Sequence, residues 1–187
     1  MIKRKYKGFT LTEVLLVVSI FTIIMIGIIS FYIGQYNLNN NHINLSNAQI
    51  KHAAVHNNLV SILSHGRALL ASTTISGNNY TISNSIVIVE LPSVDNTGNI
   101  ISNSFDTVVI TLEGTQLKSF TEAADGSRLS DGEKLLLDDL TSFAVSYENE
   151  SNPAQSDWFE LNTSQDVDIY SGTRSVGQSS RITLKNK

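Results

Sequence analysis

The sequence predicts an α+β protein: one long amino-terminal helix, half membrane-type and half amphipathic, packed against an antiparallel β-sheet. Three observations carry this. Val14 to Ile33 form the one long uncharged apolar run. Apolar residues from Ala48 to Leu69 then recur at helical spacing. From about Ala71 the apolar period switches to the alternation expected of strands.

The apolar run reads VLLVVSIFTIIMIGIISFYI, twenty residues without a charge. As a helix it is roughly 30 Å long, the thickness of a bilayer core. No charge follows Glu13 until Lys51. Ser19, Thr22 and Ser30 are tolerable inside it because hydroxyls bond back to helix carbonyls. Lys3, Arg4, Lys5 and Lys7 precede the run, so the positive-inside rule places residues 1–8 in the cytoplasm and the carboxyl-terminal part outside. The segment is too long for a secretory signal, whose apolar core spans ~7–15 residues before a small-x-small cleavage site. Phe31-Tyr32-Ile33-Gly34 offers no such site.

Charge excludes one class of function. The chain carries −4 in total; without the four leading cations, nine basic residues face seventeen acidic ones, a net of −8. Such a surface repels phosphate backbones, so no nucleic-acid binding is expected of the domain. The sequence has no cysteine, hence no disulfide and no thiolate metal site.

Glu13 is the informative residue. A carboxylate at the edge of an apolar membrane helix carries a cost that grows toward the bilayer centre, roughly 2.5–3.5 kcal/mol there on insertion scales. A partner cation would offset it. The surrounding Lys7-Gly8-Phe9-Thr10-Leu11-Thr12-Glu13-Val14-Leu15-Leu16 resembles the processing site of type IV prepilins and pseudopilins: a basic leader, Gly, Phe, Thr, Leu, any residue, Glu, then a long apolar stretch. The resemblance covers residues 1 to about 36 and, beyond them, the general plan of a helix with a β domain. It implies that a prepilin peptidase cuts between Gly8 and Phe9 and methylates the new amino group of Phe9. It implies that Glu13 pairs with the amino terminus of a neighbouring subunit during assembly. It therefore implies as partners the peptidase, other pilin or pseudopilin subunits, an inner-membrane assembly platform and the lipid bilayer. The chain departs from many members in having no proline in the apolar segment; its prolines are Pro92 and Pro153. Phe143 to Tyr147, Trp158 and Arg181-Ile182-Thr183-Leu184 are faintly similar to J-type minor pseudopilins of type II secretion.

The implied organisation is a removable leader (1–8), a membrane and assembly helix (9–36), an amphipathic stem (37–71) and a β-rich outward domain (72–187). The helix is expected to run from about Phe9 to about Leu70. One stem face carries Ala48, Val55, Leu59, Ile62, Gly66 and Leu69. Ile43, Ile50 and Ala54 fall roughly opposite. The Asn-rich stretch 37–41 is a weak helix former and reads as a flexible joint. Residues 72–85, rich in Ser, Thr, Asn and Gly, read as a loop. Strands are expected at Ile86–Val89, Thr107–Glu113, Phe143–Tyr147 and around Ile182 and Leu184. Turn signals stand at Asn96-Thr97-Gly98, Glu113-Gly114 and Asp125-Gly126.

Sites of other chemistry are few. His52 and His56 lie one helical turn apart, a spacing that can chelate a metal, but Ala53 replaces the glutamate of a zinc-protease helix. They read as solvated stem histidines. Asp131-Gly132-Glu133 and Asp95-Asn96-Thr97-Gly98-Asn99 offer oxygen ligands, as calcium-binding loops of some pseudopilins do, without EF-hand spacing; they read as turns, and no cofactor is expected. Asp138-Asp139 reads as a solvated edge. No nucleophile elbow or phosphate loop occurs, so no catalytic residue is assigned. The rival reading is a single-pass anchored sensor or binding protein with an outward β domain.

Overall fold

In the computed structural model, residues 8–170 and 172–185 are described. The chain forms one α-helix, ten strands and a short 3-10 turn among the described residues. It divides into two units, Met1–Asn44 and Leu45–Lys187.

Helix α1 spans Leu11–Ser64. Its stretch within the first unit exposes its apolar side chains throughout: Val17 is 60% accessible, Ile23 70% and Phe31 70%. No described residue buries them, as expected of a segment whose solvent is lipid. The hydroxyls of Ser19 and Thr22 donate to Leu15 O at 2.7 Å and Val18 O at 2.8 Å, so their polarity is satisfied within the helix.

Two expectations about the helix are corrected. Residues 37–41, read as a joint, are helical. Asparagine is a poor helix former, but extending an existing helix adds one hydrogen bond per residue fixed, which outweighs the propensity deficit. The helix also ends at Ser64, before Leu70. The amides of His65 and Gly66 bond Ile62 O and Leu63 O in a tight last turn. Gly66 then lets the backbone press against the sheet: a Cβ there would lie 2.5 Å from Val89 Cγ1 and 2.9 Å from Leu184 Cδ2. Leu69 accordingly lies in strand β1 (Ala68–Leu69) rather than on the helix.

The second unit is built of antiparallel sheets. The larger has the order β1-β4-β5-β6-β7, with β4 Ile86–Val94, β5 Ile100–Glu113, β6 Gln116–Glu122 and β7 Gly132–Leu137. The smaller has the order β10-β9-β8, with β8 Ser142–Tyr147, β9 Trp158–Ile169 and β10 Gly172–Thr183. The four expected strand regions are all present; β4 and β5 extend further than the apolar runs that announced them. The turn glycines Gly98, Gly114 and Gly126 take φ of 91°, 64° and 81°, values at which a Cβ would be strained.

Residues 72–85 are not a loop. Strands β2 (Ser72–Ile75) and β3 (Asn78–Thr81) pair across a Ser76-Gly77 turn with both φ positive. That is the left-handed geometry a two-residue hairpin requires. The hairpin has a packing role. Strand β5 is buried on both faces: Val108 and Ile110 join the main core, whereas Val109 packs with Ile75, Tyr80, Ile88 and Phe120. Ile75 and Tyr80 come from the hairpin, and Tyr80 meets Phe120 with ring centroids 5.2 Å apart.

The main core gathers Leu59 and Leu63 of α1 with Val87, Val89, Phe143, Val145, Phe159, Leu161 and Ile182. The helix face is not quite the one the spacing indicated. His52, His56, Leu59 and Leu63 are its buried residues, whereas Ile62 is 36% accessible. Ile43, Ile50 and Ala54 are exposed, as their opposite placement implied.

Candidate functional site: the amino-terminal motif

The processing motif sits where irregular chain becomes helix. Gly8, Phe9 and Thr10 precede α1 without regular structure, and all three are exposed. Phe9 is 84% accessible and Leu11 77%. A Cβ at Gly8 would meet no atom within 4 Å, so nothing among the described residues demands glycine there. Lys7 and the rest of the leader lie outside the described residues.

Thr10 and Glu13 cap the helix reciprocally. Glu13 Oε2 accepts from the Thr10 amide at 2.9 Å and from its hydroxyl at 3.0 Å. The Glu13 amide donates back to Thr10 Oγ1 at 3.3 Å. Thr10 O accepts the first helical bond, from the Val14 amide at 3.2 Å. This is a capping box, in which Ser or Thr at the N-cap and Glu three residues later satisfy orphan amides of the first turn. A negative charge at this end also complements the helix dipole. The signal was in the sequence: Thr-x-x-Glu directly before an apolar run. Reading Glu13 only as a charge in need of an intermolecular cation missed it. Glu13 Oε1 has no hydrogen-bond partner among the described residues.

The histidines require a correction. His52 and His56 are not solvated; they are 1% and 2% accessible. His56 bridges the two strands of a hairpin, Nδ1 to Thr163 Oγ1 of β9 at 3.1 Å and Nε2 to Ser180 Oγ of β10 at 2.8 Å. Neither nitrogen of His52 has a hydrogen-bond partner among the described residues. The rings stack with centroids 6.4 Å apart. Among the described residues no third His, Cys, Asp or Glu joins them as a ligand. Helical periodicity computed from apolar residues alone skips histidine, which is why the stem face was drawn one position off.

Of the two acidic segments only Asp95-Asn96-Thr97-Gly98-Asn99 is a turn; Gly132 and Glu133, expected in a turn, instead open strand β7, where they pair with Thr121 and Phe120 of β6. Asp95 Oδ1 accepts from the Thr97 amide and hydroxyl at 2.9 and 2.7 Å and from the Asn99 amide at 2.9 Å. The Thr97 hydroxyl and the Asn99 amide, acting with the loop's other donors, pull this carboxyl down to about 2. Asp131 accepts from the Ala123 amide. Glu133 pairs with Lys118 at 2.8 Å, and Lys118 also holds Glu113 at 2.9 Å. The Asp138-Asp139 turn places Asp139 at φ 60° between β7 and β8.

Sequence reasoning gave no role to Asp106, which is 1% accessible on β5. Its carboxylate accepts from Ser93 Oγ at 2.9 Å, the Ala124 amide at 2.8 Å and Ser127 Oγ at 2.8 Å. It pins the β6–β7 loop to the sheet. A charged side chain within a strand run is the only sequence hint of it.

Comparison with family descriptions matches residues 3–29 to the prokaryotic N-terminal methylation motif. No curated protein and no solved structure matches the chain. The match begins in the basic leader, crosses Gly8-Phe9 and the capping box, and ends within the exposed apolar part of α1. With that motif, and with a long amino-terminal helix followed by antiparallel sheets, the chain is similar to type IV pilin-like proteins.

Proposed function

We propose that the protein is a structural subunit, a minor pilin or pseudopilin, of a type IV pilus or type II secretion-like filament. A prepilin peptidase cuts between Gly8 and Phe9 and methylates Phe9. The subunit waits in the cytoplasmic membrane as a single-pass protein with its β domain outside, and the apolar helix then carries it into the filament. It acts by assembly with other subunits, without a cofactor and without catalysis.

One observation carries this reading. The methylation motif coincides with an exposed Gly8-Phe9 bond placed directly before a capped helix whose apolar run is wholly unburied. Each feature has a use in the proposal. Exposure gives a peptidase access. The unburied run gives the subunit a place first in lipid and then among other apolar helices. Glu13 supplies a carboxylate that keeps its cap through Oε2 while Oε1 is open to the methylated amine of a neighbour's Phe9. Removal of the leader takes away Lys7 and leaves that amine as the cation within reach of the motif.

Intact-mass spectrometry of the protein from cells with an active prepilin peptidase tests the proposal. The expected mass lacks residues 1–8 and carries one added methyl group. A chain that still begins at Met1 in those cells would overturn it.

A further inference from the structure

The membrane motif leaves the buried histidine pair without a role. The pair lies in the seam between α1 and the β9–β10 hairpin. Alternation along β9 turns Phe159, Leu161, Thr163 and Gln165 inward. Their partners Ile182, Ser180, Gln178 and Val176 share that face of β10. The lower part of the seam is apolar, with Leu59, Leu63, Phe159, Leu161 and Ile182 in one core. The upper part is polar and buried. It holds His52, His56, Thr163 and Gln165, each under 9% accessible, with both nitrogens of His52 and Oε1 of Gln165 unbonded. Leaving such groups buried and unpartnered costs free energy. A leucine at 52 would fill the same space without that cost.

We propose that His52 and His56 form an acid-sensitive latch that holds the stem helix on the β9–β10 hairpin while both rings are neutral and releases it when they gain protons. The chemistry of the seam supports this. A charged imidazole needs acceptors for both N–H groups and, when buried, a counter-ion. Among the described residues His52 has no acceptor. His56 has two hydroxyls, but they carry no charge. The ionisable groups around the pair offer none of opposite sign. On α1, Lys51 and His42 are on the exposed side. On β9, Glu160 and Asp166 alternate to the far face, and Glu160 is engaged with Ser179. On β10, Arg174 has the same alternation as Val176 but is exposed, and Arg181 lies over Trp158. On β8 the inward residues are Phe143, Val145 and Tyr147, and the Tyr147 hydroxyl donates to Ser83 O and Ile86 O. Glu90 of β4 is paired with Arg67.

Burial pushes both imidazoles below their ordinary value, and for His56 the neighbouring His52 adds to the push. The sign follows. With the folded value below the unfolded one, the two states bind protons equally above about 6.5. As pH falls through that value the unfolded chain takes up protons that the folded one refuses. The unfolding equilibrium constant therefore rises with acidity, by up to about tenfold per pH unit for each proton.

The test uses the full chain in detergent micelles, with Trp158 fluorescence following unfolding from pH 8 to pH 5. Wild type is expected to lose stability steeply below about pH 6.5. His52→Leu/His56→Gln should flatten the profile, whereas His42→Gln on the exposed side should keep the wild-type slope. A double variant as acid-labile as wild type would overturn the latch. Should the double variant fail to fold, the wild-type imidazole NMR signals decide. His52 and His56 must stay neutral at a pH where the histidines of the unfolded chain are charged. Ordinary titration of both in the intact fold refutes the proposal.

Discussion

Glu13 Oε2 accepts two hydrogen bonds from Thr10, one from its amide at 2.9 Å and one from its hydroxyl at 3.0 Å. The glutamate at the membrane edge therefore has a partner inside its own chain. It caps the helix before any second subunit is present. The assembly role proposed for it would use a carboxylate already oriented by the first turn.

The cap makes its own prediction. Thr10→Val keeps the size of the side chain and removes the hydroxyl, and loss of a Thr cap costs about 1 kcal/mol. That corresponds to roughly fivefold more frequent opening of the first turn. Amide exchange at Glu13 and Val14 in micelles should quicken by about that factor, while Thr10→Ser should behave as wild type. Equal protection in Thr10→Val would mean that the capping box contributes nothing.

Glu13 then separates cap from charge. Glu13→Gln retains an acceptor for the Thr10 amide but removes the carboxylate. Glu13→Val removes both. If the charge serves assembly, both variants should be cleaved and folded, yet enter filaments poorly. Removing one partner of a buried ion pair typically costs ~3–5 kcal/mol. Shearing of filaments and immunoblotting of the cleaved protein gives the readout. Normal incorporation of Glu13→Gln would assign the residue to helix capping alone.

Gly66 tests the packing of the helix end. A Cβ there would lie 2.5 Å from Val89 Cγ1 and 2.9 Å from Leu184 Cδ2, with Leu63 O at 3.0 Å. Neither side chain has room to retreat, since Val89 is fully buried and Leu184 is 7% accessible. Gly66→Ala should destabilise the β domain by about 1–3 kcal/mol, the usual cost of overpacking. Thermal unfolding should show it as a lower melting temperature with the amino-terminal helix content unchanged. An unshifted melting curve would show that the contact relaxes freely.

The amino-terminal segment was legible because its signals are local. Twenty uncharged residues after four cations read as a helix long and apolar enough to cross a membrane whatever the rest of the chain does. The Gly8-to-Glu13 spacing is read along the chain and needs no partner from afar. Strands at Ile86–Val89 and Phe143–Tyr147 were equally plain, since alternation or a β-branched run reports burial directly. The β2–β3 hairpin was missed because its composition, Ser, Thr, Asn and Gly, is that of a loop. Only Ile75 and Tyr80 betray it, and their value depends on Phe120 and Val109 being opposite.

By itself, then, the sequence determined the long apolar helix, the methylation motif, the α+β class and the main strands and turns. Each rests on residues within a few positions of one another. The tertiary structure decided where the helix stops, through the close approach of Gly66 to Val89 and Leu184. It decided that Asp106 is a buried tie, through donors that come from position 93 and from 124–127. It decided that His52 and His56 are interior, because the hydroxyls that meet His56 come from residues more than a hundred positions away. Histidine is neither firmly polar nor firmly apolar, so its own chemistry leaves its burial open. The strands that pack against it settle the matter.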